Sequence, residues 1–466
     1  MSEDVRYDLA VIGGGGAGLA AAVSAREHGA SVIVVEAADQ VGGSTRLSGG
    51  AFLAADTVVQ RAAGHTGDSA GEFYDYFLAV NRWEVEPSIV RHYCDEGAAA
   101  VEWLMEHGVE FPVGDLVRGE LERVPRMHRA AGGGAGIIAG LKRSCDRLGV
   151  DIALGTRVDA LITDSGGSVR GIRAGGQELE AAAVVIATGG FANNKALVGE
   201  HIEFVRPVLD LIRTPAPETN QGDGLRMAVD AGAATDGANR AQLLLSSGIT
   251  HDIEPVLPGW LICVDSRGRR YVDETAHYHV MNPLTLKHGG VCWAVFDDAA
   301  RARAKGSGSR FGNGMWTSDI LSAAAGDGRI PTAPDLDGLA RSTGISPGTL
   351  RTTVERYNAD CALGADSLFG KNPATMVPCR TPPFYAVAMR PTIMPVTGYG
   401  LRIDADTRVL RARDNQPIGG LYAAGEVVGN VVGPHIFSGG AMVAGAVIFG
   451  RRAGAVIADR VLDKAF

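Results

Sequence analysis

The residues best suited to chemistry begin at position 13. Gly13-Gly14-Gly15-Gly16-Ala17-Gly18 carries the spacing Gly-x-Gly-x-x-Gly, and Glu36 stands 23 residues after Gly13. Glycines at this spacing permit a tight turn, close approach of backbone to a pyrophosphate, and close packing of a helix on a strand. The helix that follows offers free N–H groups and a partial positive charge to phosphates. An acid at the spacing of Glu36 accepts a hydrogen bond from a ribose hydroxyl. The chemistry is therefore that of a dinucleotide, and these residues alone do not separate NAD from FAD.

The elements needed to hold such a site are legible around it. Leu9–Ile12 is a short apolar strand, an alanine-rich helix follows the glycines, and Val32–Val35 is a second strand ending at Glu36. Together they form a βαβ unit. Next comes Gly42-Gly43-Ser44-Thr45-Arg46-Leu47-Ser48-Gly49-Gly50, a loop whose two glycine pairs let backbone lie flat along a ligand. An extended FAD, with its ribityl chain and ring beyond the pyrophosphate, needs such a loop; an NAD domain does not.

Further along, residues 70–110 show apolar helical spacing through Phe73, Tyr76, Phe77, Val80, Val101, Leu104 and Met105. Residues 131–136 form a second glycine-rich turn, and a helix is expected from Ile137 to Leu148, stopped by Gly149. Strands are expected at 151–154, 157–162 and 169–173, with a turn at Ser165-Gly166-Gly167, as a small sheet inserted in the nucleotide domain. Ala181–Ala187 is a buried strand that ends in Thr188-Gly189-Gly190. Asp223 either caps a helix over 225–231 or contacts the cofactor. From Trp260 to Lys371 the texture changes: a turn at Arg267–Glu274, the run His277-Tyr278-His279, a strand at 291–296, a polar glycine-rich loop at 305–314, and helices at 336–341 and 349–362. Ser346-Pro347 opens the second of these helices as cap and first residue. Beyond Pro382 the nucleotide-type pattern resumes with a strand over 420–427 and a final helix over 443–461.

Size and composition bound the answer. The chain has 466 residues, 46% hydrophobic and 21% charged, which describes a globular protein of two or more domains. A net charge of −9 argues against nucleic acid or an anionic membrane as partner. No apolar run is expected to span a bilayer, no signal peptide is evident, and the six cysteines form no metal-ligand or CxxC spacing. These features predict free thiols in a reducing, cytoplasmic setting and no metal site.

Taken in order, Gly13–Gly18, Glu36, Gly42-Gly43-Ser44, Ala187-Thr188-Gly189-Gly190-Phe191, Gly222-Asp223-Gly224, Arg269–Glu274, Pro383-Phe384-Tyr385 and Gly420–Glu426 resemble the flavoprotein family of fumarate reductase and succinate dehydrogenase. The resemblance spans nearly the whole chain. It implies an α/β fold: a discontinuous, GR2-type, Rossmann-like FAD-binding domain over 1–250 and 375–466, with an inserted α+β cap domain over 251–374. Residues 40–50 contain no histidine, the residue that carries FAD covalently in some members, so non-covalent FAD is expected. The cofactor set is Gly13, Gly15, Gly16, Ala17, Gly18, Glu36, Gly42, Gly43, Ser44, Ser48, Gly49, Gly50, Val158, Ala187, Thr188, Gly189, Asp223, Gly425, Glu426, Gly440, Ala441 and Met442.

The substrate positions depart from the dicarboxylate members. Where those carry a histidine pair, this chain reads Pro395-Val396, and where they carry Asn-Arg-Leu-Gly-Gly it reads Ile436-Phe437-Ser438-Gly439-Gly440. A dicarboxylate needs fixed positive donors. The cap arginine of those members falls on Tyr278, which makes the site similar to the 3-ketosteroid dehydrogenases, where a tyrosine there removes a proton alpha to a ketone. The expectation is a dehydrogenase introducing a double bond α,β to the carbonyl of a cyclic ketone. Tyr278 would be the base, aided by Arg269, Arg270 or a helix start. Ser438 or His435, with the Gly439 and Gly440 amides, would bind the ketone. Ile436, Phe437 and Tyr399 would form an apolar pocket for an alicyclic ring. An external electron acceptor is implied and not named. The alternatives are a fumarate reductase-like reductase of an unsaturated acid and a non-catalytic flavin-binding protein.

Overall fold

A computed structural model describes residues 6–119, 122–249, 257–305, 316–433, 435 and 440–462. The chain divides into two compact units: 1–210, 214–242 and 395–466 form the first, 211–213 and 243–394 the second. The segment expected as a cap, 251–374, lies inside the second unit. That unit reaches further in both directions because its sheet takes in residues from the strands Ala241–Ser246 and Phe384–Thr397.

The first unit is built on an eight-stranded sheet. Strand β1 (Tyr7–Ile12) runs through the glycine turn into helix α1 (Gly16–Glu27) and on to β2 (Val32–Val35). β1 lies between β2 and Gln177–Ile186, parallel to both, with Ile12 opposite Val35 on one side and Ile186 on the other. Asp151–Ala153 extends the parallel set beyond β2, and Pro417–Ala423 extends it beyond 177–186. Leu9, Ala10, Val11, Val34, Val184, Val185 and Ile186 are fully buried, as expected where both faces of a parallel sheet are covered. The strands Val158–Thr163 and Val169–Ala174 form a hairpin that pairs with 177–186. The expected small separate sheet is therefore a branch of the main one, because a single ten-residue strand serves both.

Three other expectations change. Residues 70–110 hold two helices, Ala70–Val80 and Pro87–Glu106, separated by a turn at Asn81–Glu86. The helix expected from Ile137 starts at Gly133, since Gly132 takes the left-handed conformation that begins it. The last helix, Ala441–Leu462, is long and apolar enough to cross a membrane by length and composition, contrary to the expectation from sequence; 67% of that apolar window is buried in the protein. Its partner is α1: a Cβ on Gly450 or Gly454 would collide with the carbonyl of Ala17 or Ala21.

Beneath the strand pair 51–53 and 127–129 lies a buried polar cluster. The Arg126 guanidinium grips the Asp68 carboxylate (2.5–3.2 Å), Gln60 binds Asp68 and the Pro125 carbonyl, and His128 meets Thr57 at 2.6 Å. Glu122 accepts from the Gly119 amide at 2.8 Å, and burial pushes its carboxyl up to about 7.

The second unit carries a five-stranded sheet, whose path runs Ala241–Ser246, Phe384–Thr397, Cys292–Asp297, Ile262–Val264, with Thr332–Ala333 paired to 384–397. Side chains alternate between two cores, as the strand period demands. Ala294, Phe296, Tyr385 and Val387 face one core, with Trp316 and Leu321. Val295, Phe384 and Ala386 face the other, with Leu339, Leu350 and Val354. Glu274 is fully buried and holds the unit together electrostatically. It accepts from Arg270 (2.8 and 2.9 Å), Lys371 (2.9 Å) and the Cys263 amide (3.0 Å), while Arg270 also forks onto Asp366.

Two outcomes follow. Glu274→Ala leaves Lys371 and one edge of Arg270 buried without their counter-charge, so stability should fall by about 3–5 kcal/mol in denaturant unfolding followed by circular dichroism. For Glu122, the folded state holds a proton that the unfolded chain releases near pH 4.5. Stability therefore rises as pH falls from about 8 to 5, by up to about 3 kcal/mol. Glu122→Gln should flatten that slope and raise the melting temperature at pH 8 but not at pH 5.

Candidate active site

In the first unit the glycine turn has the shape its spacing predicts. Gly13 is left-handed (φ +104°), and a Cβ on Gly18 would run into the Gly13 carbonyl. Over Gly15 the backbone is open: a Cβ there would meet nothing closer than the Gly42 carbonyl at 4.0 Å. Gly42 donates its amide to the Gly14 carbonyl at 2.8 Å and runs parallel to Gly15. Gly43 and Ser44 open a short helix (Gly43–Leu47) beside the turn. Gly16 faces Thr45, while Ala17 is buried under the last helix.

Glu36 closes the turn. One of its oxygens accepts from the Gly14 amide at 2.6 Å and the other from the Ala38 amide at 2.8 Å. Its backbone carbonyl receives the Thr156 amide, which brings Val158 and its strand to the same edge. Ser48 folds back onto the Thr45 carbonyl and accepts from the Gly50 amide. Gly49 and Gly50 press on the start of the helix Gly133–Leu148, which accounts for the second glycine-rich run. Ala187, Thr188 and Gly189 follow the strand 177–186 directly against Gly13. Among the described residues the Thr188 hydroxyl is buried without a hydrogen-bond partner. A left-handed turn, an open backbone face and an orphaned buried hydroxyl beside it fit the pyrophosphate of a bound FAD.

The flavin end of the cradle is also set by backbone. Gly425 packs on Ala17, and Glu426 turns back to accept from the Thr397 amide (2.8 Å) and hydroxyl (3.0 Å); burial raises its carboxyl pKa. Thr397 escaped the sequence reading, which took this stretch only as the place of a lost histidine pair. Gly440 lies on Ala51 and Phe52, and the Tyr93 hydroxyl binds both the Leu53 and Ala441 carbonyls at 3.2 Å, so the start of the last helix, with Ala441 and Met442, is tied to the strand 51–53. Asp223 is the first residue of the helix Asp223–Asp230. Gly222 takes the cap position, so the capping expectation fails, and the Asp223 carboxylate pairs with Arg157 and Arg226.

Of the residues expected before the last helix, Ile436, Phe437, Ser438 and Gly439 lie outside the described residues. His435 is half-buried, its amide bound to the Asn81 side chain at 2.8 Å. Tyr399 is spent on packing: it stacks on His201 (4.0 Å, 19°) and its hydroxyl meets Thr235 at 2.9 Å.

In the second unit Tyr278 is buried, 8% exposed, so it is no surface aromatic. It is the first residue of the helix Tyr278–Lys287 and packs with Leu244 and Ile393. His277 and His279 flank its ring at 3.9 and 4.0 Å. Burial pushes His277 down to about 4, so it is neutral at neutral pH. The arginines expected to aid Tyr278 are committed elsewhere, Arg270 to Glu274 and Asp366, and Arg269 to Asp265. Of the three expected aids, the helix start is the one that Tyr278 carries itself, as first residue of its helix.

Residues 8–443 match the profile of the FAD binding domain family. The chain is 32% identical to the NADH:fumarate oxidoreductase of Klebsiella pneumoniae (strain 342), over 97% of this chain and 48% of that protein. It is 32% identical to the probable fumarate reductase Ifc3 of Shewanella frigidimarina (strain NCIMB 400), over 97% of this chain and 75% of that protein. The chain thus spans about half of the first relative and three quarters of the second. The crystal structure of the 3-ketosteroid-delta4-(5alpha)-dehydrogenase of Rhodococcus jostii RHA1 superposes with a TM-score of 0.81 at 27% identity, covering 98% of this chain and 97% of that one.

If the glycine turn holds the pyrophosphate, Gly18→Val should purify without flavin while keeping its secondary structure. The check is the ratio of flavin to protein absorbance beside a circular dichroism spectrum. A flavin ratio equal to wild type would show that the cofactor is held elsewhere.

Proposed function

We propose that the chain, which belongs to the FAD binding domain family and is an FAD-dependent oxidoreductase, desaturates a neutral alicyclic ketone at the carbon pair α,β to its carbonyl. The observation that carries this reading is Tyr278, buried at a helix start in the position where the resemblance places the arginine of dicarboxylate enzymes.

When bound, FAD supplies the two-electron acceptor for the hydride leaving the β carbon. The protein's part is the rest. The Tyr278 oxygen takes the proton from the α carbon as the double bond forms. A free phenol has a pKa of about 10, and the partial positive charge of a helix start favours its ionised form. Donors on the loop before the last helix, His435 or Ser438 and the Gly439 and Gly440 amides, stabilise charge developing on the ketone oxygen. The apolar Ile436 and Phe437 suit a ring rather than a carboxylate.

A second reading is reduction of an unsaturated acid, favoured by the two relatives named as fumarate enzymes. Against it, the chain has Tyr278 and Phe437 at the two positions where the dicarboxylate members place arginine. Acids bound without fixed cations lose the charge-assisted pairs that hold them.

Anaerobic titration separates the two. Ring ketones should bleach the bound flavin, and Tyr278→Phe should keep the flavin but slow bleaching by about 10²–10⁴-fold. Reoxidation of reduced flavin by fumarate-like acids, with no bleaching by any ketone, would decide for the second reading. Near-wild-type bleaching in Tyr278→Phe would remove that residue from the mechanism.

A further inference from the structure

The loop before the last helix carries the proposed ketone donors, yet the residue that fixes its backbone lies 354 positions earlier in the chain. Asn81 ends the helix Ala70–Val80 and is fully buried. Its amide nitrogen donates to the Phe77 carbonyl at 3.1 Å, and its oxygen accepts the backbone N–H of His435 at 2.8 Å. Both ends of the side chain are thus engaged, one on its own helix and one on the distant loop.

The surroundings are built to this contact. Gly433 is left-handed (φ +77°), and a Cβ there would collide with the Asn81 oxygen and come within 2.6 Å of Val85. The turn after Asn81 holds two non-glycine residues left-handed, Arg82 (φ +53°) and Trp83 (φ +60°), a conformation that persists only where neighbours over-determine it. The Trp83 amide reaches back to the Leu78 carbonyl at 2.9 Å. Arg240 ties the same turn to the same loop: it binds the Asn430 side chain and lies 3.4 Å from the Glu84 carbonyl. The Arg240 carbonyl accepts the Gly398 amide at 2.8 Å, and the Asn430 amide donates to the Gly398 carbonyl at 3.1 Å.

We infer that Asn81 is a positioning residue for the substrate: its buried amide fixes the backbone at His435, so that the imidazole meets the substrate carbonyl at a fixed place. The substrate being a ketone rests on the function proposed above; the clamp does not. One consequence concerns His435 itself. Its backbone N–H is spent on Asn81, so only its side chain is left to face a ligand. Burial lowers the imidazole pKa, Arg82 and Arg240 lower it further, and Glu84 opposes them. A neutral imidazole can present one N–H to a carbonyl oxygen without bringing a charge.

The test compares four flavin-loaded proteins: wild type, Asn81→Leu, Asn81→Asp and Gly433→Ala. Asn81→Asp keeps the acceptor for the His435 amide and gives up the bond to Phe77. Gly433→Ala attacks the contact from the loop side and leaves the helix alone. Hydrogen–deuterium exchange over residues 430–440, without any substrate, should speed up roughly ten- to hundredfold in Asn81→Leu and Gly433→Ala and much less in Asn81→Asp. With whichever ketone or acid turns over, the same two variants should raise KM by a similar factor while Asn81→Asp recovers most of the affinity. Unchanged exchange in both Asn81→Leu and Gly433→Ala overturns the clamp, as does equal KM loss in Asn81→Leu and Asn81→Asp. A wild type that bleaches with no ketone removes the proposed substrate and leaves the exchange result to decide the clamp.

Discussion

The first unit depends on how closely backbone can approach α1. The Ala17 Cβ would sit 3.0 Å from a Cβ on Gly425, and the Ala17 and Ala21 carbonyls fill the space that side chains on Gly450 and Gly454 would need. Small residues on both helices let the last helix lie directly on the first, at a separation that one added methylene would disturb. The glycine turn at the start of α1 and the start of the last helix are therefore parts of one packed assembly. Tyr93 completes it by bonding the carbonyls of Leu53 and Ala441 with a single hydroxyl. The apolar character of residues 441–462 follows from the same contact: a helix packed on another helix and on the sheet must be apolar on most of its faces.

Local patterns carried the sequence reading where local physics decides the structure. β1, α1 and β2 form as their apolar runs and glycines indicate, and the cofactor class follows from that unit together with the loop at 42–50. What remained hidden was set by partners distant in sequence. The hairpin at 158–174 joins the main sheet because the strand 177–186 is long enough to pair on two edges, and nothing within the hairpin encodes that. Asp223 has a capping residue's chemistry, but Gly222 reaches the left-handed conformation first and Arg157 claims the carboxylate. Arg270 stands near Tyr278 in sequence, while its guanidinium is held by Glu274, four residues on, and by Asp366, ninety-six residues on. Asn81 falls inside the stretch read as helical over 70–110; its bond to His435 has no signature in either segment.

The same distinction separates what is secure about the cofactor from what is proposed about the substrate. Cofactor recognition rests mainly on backbone groups, which the glycine spacing reveals. The proposed substrate recognition rests on a few side chains, and His435 is held by a neighbour, Asn81, that no motif contains. Glu426 illustrates the overlap: it belongs to a recognisable run, Ala423-Ala424-Gly425-Glu426, yet its orientation is set by Thr397, which belongs to none.

Electrostatics gives the proposed chemistry its character. The arginines closest in sequence to Tyr278 are consumed, Arg270 in a buried network and Arg269 against Asp265. His277, held near pKa 4 by burial, adds no positive charge at neutral pH. Under the proposed mechanism the phenol draws help from its own helix start, a directional and modest field rather than a full charge. Any helix N-terminus offers the same field to an anion, so discrimination against an acid rests instead on the missing arginines. Under that proposal, a site with a tyrosine in place of an arginine would discriminate by shape and by hydrogen bonds. An uncharged ring ketone would meet both conditions, whereas a dicarboxylate would lack the arginines that the resemblance places at the sequence positions of Tyr278 and Phe437.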